Sequence, residues 1–165
     1  VREGTARVVA GDRLRRAYQE HWVPLVRLCT LLTGDQATGE DIVQDVFIRA
    51  RDRLGELPET LVYLYLRRAT INGWRNVLRH ERRERSAIVR LDDVGVHDPT
   101  SNVGEHEEMW AGTEELQPRQ RAVIVLRSYE DLPDREIARL LGCTQATVRS
   151  QAKRGLAKLR EAIER

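Results

Sequence analysis

DREIARLLGCTQATVRSQAKRGLAKLR, residues Asp134 to Arg160, holds two helical patterns on either side of one glycine. Ala138, Gly142 and Val148 have the spacing of a helix-turn-helix. Ala138 is small where two helices must approach closely. Gly142 supplies the positive φ of a tight turn, which a residue with a Cβ adopts only at a cost. Val148 anchors the second helix, Ile137 and Leu141 cover the first, and Thr144 is placed to cap the second. At about 100° per residue the second helix has two faces. Val148, Ala152, Leu156 and Leu159 fall in an inward arc. Ala146, Arg149, Ser150 and Lys153 fall in an outward one, with Arg154 beside them. That outward arc suits a major groove, with Arg149 and Lys153 toward guanine edges and Ser150 and Arg154 toward phosphates.

Upstream the pattern stays helical. Leu14, Tyr18, Leu25, Leu28 and Leu32 recur at helical spacing, Pro24 is a candidate kink, and Gly34-Asp35 ends the element. TGEDIVQDVFIRARDRL, residues 38–54, predicts a second helix with Ile42, Val43, Val46, Phe47, Ala50 and Leu54 inward. A third helical region is expected over 59–83, interrupted at Asn72-Gly73, because glycine costs about 1 kcal/mol relative to alanine in a helix. Further helices are expected over 107–116, 119–129, 134–141 and 145–163. Strand-like alternation is absent. The expected class is all-α, in two small helical domains: 1–85 and 109–165, joined by a flexible linker over 86–108.

Charge is partitioned along the 165 residues although the net is only +2. Residues 1–85 carry 16 basic and 12 acidic side chains, 86–115 carry 1 and 8, and 116–165 carry 11 and 6. Two basic segments thus flank an acidic one that also holds the turn-prone HDPTSN. Its charge reads as solvation of a connector, or as mimicry of nucleic acid in a partner's basic channel. No apolar run approaches the ~20 residues of a membrane span. No apolar stretch follows a basic start, so neither membrane insertion nor a secretory signal is expected, and the expected location is the cytoplasm. Cys29 and Cys143 lie far apart and the four histidines are scattered, so no metal, cofactor or disulfide is expected, and both thiols read as buried and reduced. Of 28 basic residues only Lys153 and Lys158 are lysine, a bias that suggests a GC-rich genome.

Two surfaces of the first domain stand out. Asp41, Gln44, Asp45 and Asp52 project from the second helix opposite Val43 and Phe47. Such an acidic strip suits a basic protein partner rather than DNA. In the third region Arg68, Arg75, Arg79 and Arg82 share one arc, while Ile71, Trp74, Val77 and Leu78 lie mainly in another, and Arg67 falls toward the apolar side. A break at Asn72-Gly73 would present Asn72, Gly73, Arg75 and Asn76 as a polar loop able to read base edges. Trp74 could stack on an unpaired base or simply pack in the core.

Together these segments resemble a bacterial RNA polymerase sigma factor of the extracytoplasmic-function group within the sigma-70 family. LTGDQATGEDIVQDVFIRA is similar to the group's region 2.1–2.2, and YLRRATINGWRNVLRHERR to region 2.3–2.4. LQPRQRAVIVLRSYEDLPDREIARLLGCTQATVRSQAKRGLAKLR resembles region 4. RAVIVLRSYEDL and LLGC look most like the actinobacterial sigma-E type. The likeness covers about four-fifths of the chain. It implies that Asp41, Gln44, Asp45 and Asp52 form the strip that docks on the β′ clamp coiled coil of core RNA polymerase, with the β flap as a further contact. It implies that Asn72, Gly73, Trp74, Arg75 and Asn76 read the −10 element on the melted non-template strand. Arg79, Arg82 and Arg83 would hold its backbone, and Thr144, Gln145, Arg149, Ser150, Lys153 and Arg154 would read the duplex −35 element. An anti-sigma factor is a further candidate partner. The chain departs from the group's usual pattern at Gly39, at Gln145-Ala146 and at Gln151-Ala152.

The expected function is promoter-specific initiation without catalysis by this chain. The rival is a conventional helix-turn-helix regulator acting on duplex DNA without polymerase; nothing here looks like a dimerisation helix. A serine recombinase would need an N-terminal serine, and residues 1–85 contain none. A tyrosine recombinase would need a larger domain.

Overall fold

The computed structural model describes residues 2–88, 113 and 115–164, with side chains for 11–84, 113, 115–162 and 164. Among these residues the secondary structure is helical throughout, in six α-helices, as the periodicity predicts. The first, α1 (Arg2–Thr33), carries Pro24 within it and buries Leu25, Leu28, Cys29 and Leu32. It stops at Gly34, whose φ of +85° is open to glycine and whose N–H closes on Thr30 O at 2.8 Å. Asp35 then caps α2 (Gln36–Leu54): its carboxylate accepts from the Thr38 N–H at 2.7 Å, satisfying one of the four free donors of a helix start. Ile42, Val43, Val46, Phe47, Ala50 and Leu54 are all buried, the inward face expected of them.

Gly39 is a point of close approach between α2 and α1. A Cβ there would stand 2.8 Å from Thr30 Oγ1 and 2.9 Å from the Thr30 backbone nitrogen. Backbone cannot move aside as a side-chain tip can. Gly39→Ala is therefore expected to destabilise the fold by about 1–3 kcal/mol, although helix propensity alone favours alanine by ~1 kcal/mol. Urea unfolding checks the sign; a stabilised variant would show that α1 and α2 separate freely here.

The next helix, α3 (Glu59–Ile88), is tied back by Arg13, which donates to the carbonyl of Gly55 at 2.7 Å and to that of Leu57, with Glu59 Oε2 at 3.6 Å. It is one uninterrupted helix. The break expected at Asn72-Gly73 is absent, because Gly73 lies against α2, where an added Cβ would come within 2.8 Å of Ile42 Cγ2. Close packing outweighs the modest propensity cost. The helix also continues to Ile88, into the stretch expected to be linker; the rest of that stretch lies outside the described residues. Of the helix expected over 107–116, residues 113, 115 and 116 are turn and bend, and the others lie outside the described residues.

The remaining helices are α4 (Pro118–Ser128), α5 (Asp134–Leu141) and α6 (Gln145–Ile163). Gly142 ends α5 at φ +64° and ψ 44°, and the Cys143 N–H reaches back to Ala138 O at 3.0 Å, the left-handed turn read from the sequence. Thr144 caps α6, accepting from the Thr147 N–H at 3.1 Å. Val148 and Ala152 are buried as expected, but Leu156 is 47% exposed. Gly155 takes the inward place instead, close against the tip of Ile124 on α4. The neighbour lies off the axis of the projected arc, so the buried series runs 148, 152, 155. Helices α4–α6 pack on α1 and α3, and the buried apolar side chains of both halves form one continuous cluster.

Candidate nucleic-acid interface

All six residues assigned to the −35 element are exposed on or just before α6: Thr144, Gln145, Arg149, Ser150, Lys153 and Arg154. The Arg149 guanidinium lies 3.5 Å from Asp134 on α5, which Arg127 also engages, so a carboxylate steers it while leaving it accessible. Ser150 Oγ donates to Thr147 O at 3.0 Å, a local bond that a phosphate oxygen could replace as acceptor. The face is a row of cationic and hydroxyl groups on a rigid helix, the arrangement that major-groove reading requires.

The −10 set divides. Asn72, Asn76, Arg79, Arg82 and Arg83 are exposed along α3, and Arg79 bonds Asn76 Oδ1. They form a helix face, not the polar loop expected at Asn72–Asn76. Gly73 serves the α2 contact. Trp74 is 4% exposed, in the core, so in this structure it packs and offers no stacking surface. Arg75 is half-buried and donates to Leu140 O at 3.1 Å, at the end of α5. Between α3 and the helix-turn-helix lies a cavity of about 150 Å³ walled by Trp74, Arg75, Arg79, Arg82, Arg119 and Gln151. Arg119 escaped the sequence reading, because only the packing of α4 brings it to α3.

Asp41, Gln44, Asp45 and Asp52 are all exposed on α2, opposite its buried face. Asp45 bridges Arg49 at 2.8 Å and Asp52 meets Arg51 at 3.3 Å. Ile48 stands among them, 66% exposed. It is the one large apolar residue of α2 outside the inward pattern, a signal the sequence did carry.

Arg67, the residue that fell toward the apolar side of α3, is buried and paired with two carboxylates of the C-terminal half. Its guanidinium reaches Glu136 at 2.6 Å and Glu130 at 3.3 Å. Tyr63 donates to Glu130 at 2.9 Å, and burial, with the Glu130 charge beside it, raises its phenol well above the usual range. Cys29 is buried, which pushes its thiol up to about 12 and leaves it unreactive. Cys143, expected to be buried, is half-buried at the cavity wall. Among the described residues no cluster of His, Cys, Asp or Glu could hold a metal ion, and no helix is long and apolar enough to cross a membrane.

Residues 106–159 match the family described as Sigma-70, region 4. Over 141 residues the chain is 33% identical to the RNA polymerase sigma-E factor of Streptomyces avermitilis, covering 85% of this chain and 79% of that protein. The sigma-E factor of Streptomyces antibioticus is 33% identical, with 85% and 78% covered. Among solved structures, the sigma factor RpoE of Bartonella quintana in complex with the anti-sigma factor NepR superposes with a TM-score of 0.65. That match has 20% identity and covers 88% of this chain and 95% of that one. The chain belongs to the RNA polymerase sigma factors, in their extracytoplasmic-function group.

Proposed function

We propose that this chain binds core RNA polymerase in the bacterial cytoplasm and directs it to promoters carrying −10 and −35 elements, with no catalysis of its own. The observation that carries the reading is α6: the six residues that match the −35 readers share one exposed face, and the left-handed turn at Gly142 holds that helix off its neighbour. Asn72, Asn76, Arg79, Arg82 and Arg83 are the exposed residues of α3 suited to a melted strand and its backbone. Arg75 joins them once it leaves Leu140. The acidic strip of α2 supplies the polymerase contact. The chain's relatives share the polymerase-linked name, which disfavours the rival regulator that works on duplex DNA alone.

Transcription in vitro by core enzyme, with and without the chain, tests this reading directly. The expected result is new start sites that depend on it; no redirected initiation on any genomic template would reject it. The rival predicts a tight gel shift without core enzyme. Arg149→Ala is expected to cost about 1–3 kcal/mol at one upstream base pair. Equal loss on every base substitution would reduce Arg149 to a phosphate contact.

A further inference from the structure

Asp134 opens α5, and its two carboxylate oxygens are divided between the helices on either side. Arg127, in the last turn of α4, donates to Oδ1, and Arg149 Nε of α6 stands 3.5 Å from Oδ2. Exposure rises along the same line: the Asp134 side chain is 24% exposed and that of Arg149 is 67% exposed. One end of this three-residue chain is therefore held in the protein while the other faces the medium. A carboxylate suits a helix start, yet Asp134 does not cap α5, whose N-cap is Pro133, and both of its ion pairs run to other helices.

An arginine without a fixed partner is a poor reader of sequence. Its long stem samples many rotamers, and a phosphate oxygen accepts from it as readily as a guanine edge does. A phosphate bond carries no sequence information. An ion pair through Nε limits the swing of the guanidinium. It leaves the edge formed by Nη1 and Nη2 for two parallel bonds, the pattern that guanine O6 and N7 accept. At 3.5 Å the pairing biases Arg149 without locking it. The carboxylate has a second effect. It stands beside a helix suited to a groove flanked by phosphates, so its charge repels every duplex alike. A group that weakens all sequences while sharpening one position trades affinity for selectivity.

We propose that Asp134 is a positioning residue for −35 recognition: anchored by Arg127, it aims Arg149 at one base pair and keeps it off the phosphates of other sequences. The inference rests on the sigma-factor reading, which makes α6 the duplex reader.

The test is competition binding by the full chain, alone and with core polymerase, on duplexes that carry each base pair in turn across the −35 element. The parent is expected to prefer one base pair at the Arg149 position by about tenfold or more. Asp134→Asn should cut that preference to about twofold, at that position and no other. It should also tighten binding to a scrambled duplex by about threefold, an effect that shrinks as salt rises. In an Arg149→Ala background, Asp134→Asn should leave every base preference unchanged, which a merely structural role would not produce. Asp134→Ser should match Asp134→Asn and covers the case of an asparagine variant that folds poorly. Equal loss at all −35 positions, weaker binding to every duplex, or additive effects of the two substitutions on preference overturns the assignment. A chain that shows the expected pattern on duplex yet never redirects polymerase would instead reject the promoter reading and leave Asp134 as the residue that aims Arg149.

Discussion

Asp45→Arg is expected to abolish binding to core RNA polymerase while leaving the fold intact. Asp45 sits mid-strip on α2, between Asp41 and Asp52, and its side chain is half exposed. Among the described residues it pairs with Arg49 one turn on, an exposed bridge worth about 0.5 kcal/mol at most. Reversing its charge therefore costs little stability. At a docking face the same change replaces an attraction with a repulsion. Like charges facing each other across an interface cost several kcal/mol, and about 3 kcal/mol is already a loss of more than a hundredfold. Binding of fluorescently labelled chain to core enzyme reads this out, with circular dichroism as the control on folding. Undiminished binding by a folded Asp45→Arg variant would move the docking face away from α2.

Trp74→Ala carries the largest expected loss of stability, about 3–5 kcal/mol, because a nearly fully buried indole leaves a cavity that its neighbours cannot refill. The folded fraction that remains should bind single-stranded DNA as the parent does. The competing role predicts a different pattern. A stacking tryptophan would contribute about 1–3 kcal/mol of strand affinity, and its loss would leave the melting transition nearly unmoved. Urea unfolding and oligonucleotide titration on one preparation separate the two. A variant as stable as the parent but weaker on the strand would place Trp74 on a base and not in the core.

Both expectations depend on which face a residue occupies, and the sequence settled that well wherever a helix keeps one neighbour. The inward set of α2 follows from a 3- and 4-residue spacing, and so does the exposure of its acidic strip. Gly142 and Thr144 were legible because turn and cap chemistry is local: a positive φ and an oxygen three residues before an N–H need no distant partner.

Other features depended on where a second element lies. Asn72-Gly73 looked like a break because propensity is a weak prior of about 1 kcal/mol, and the nearby Ile42 of α2 is invisible to it. Leu156 projected inward on an ideal wheel, but Ile124 of α4 sits beside Gly155. Arg67 was marked as anomalous by its position and could not be explained by it, since its acceptors lie 63 and 69 residues further along the chain.

The sequence by itself determined the helices, their capping and turn chemistry, the cationic face of α6 and the carboxylate strip of α2, since each is set within a few turns of one helix. Only the tertiary structure decided that the two halves close on each other, that Trp74 faces inward, that Arg75 bonds Leu140 and that Arg67 is paired. Those outcomes depend on charges and surfaces brought together across the chain, and local periodicity holds no record of such pairings.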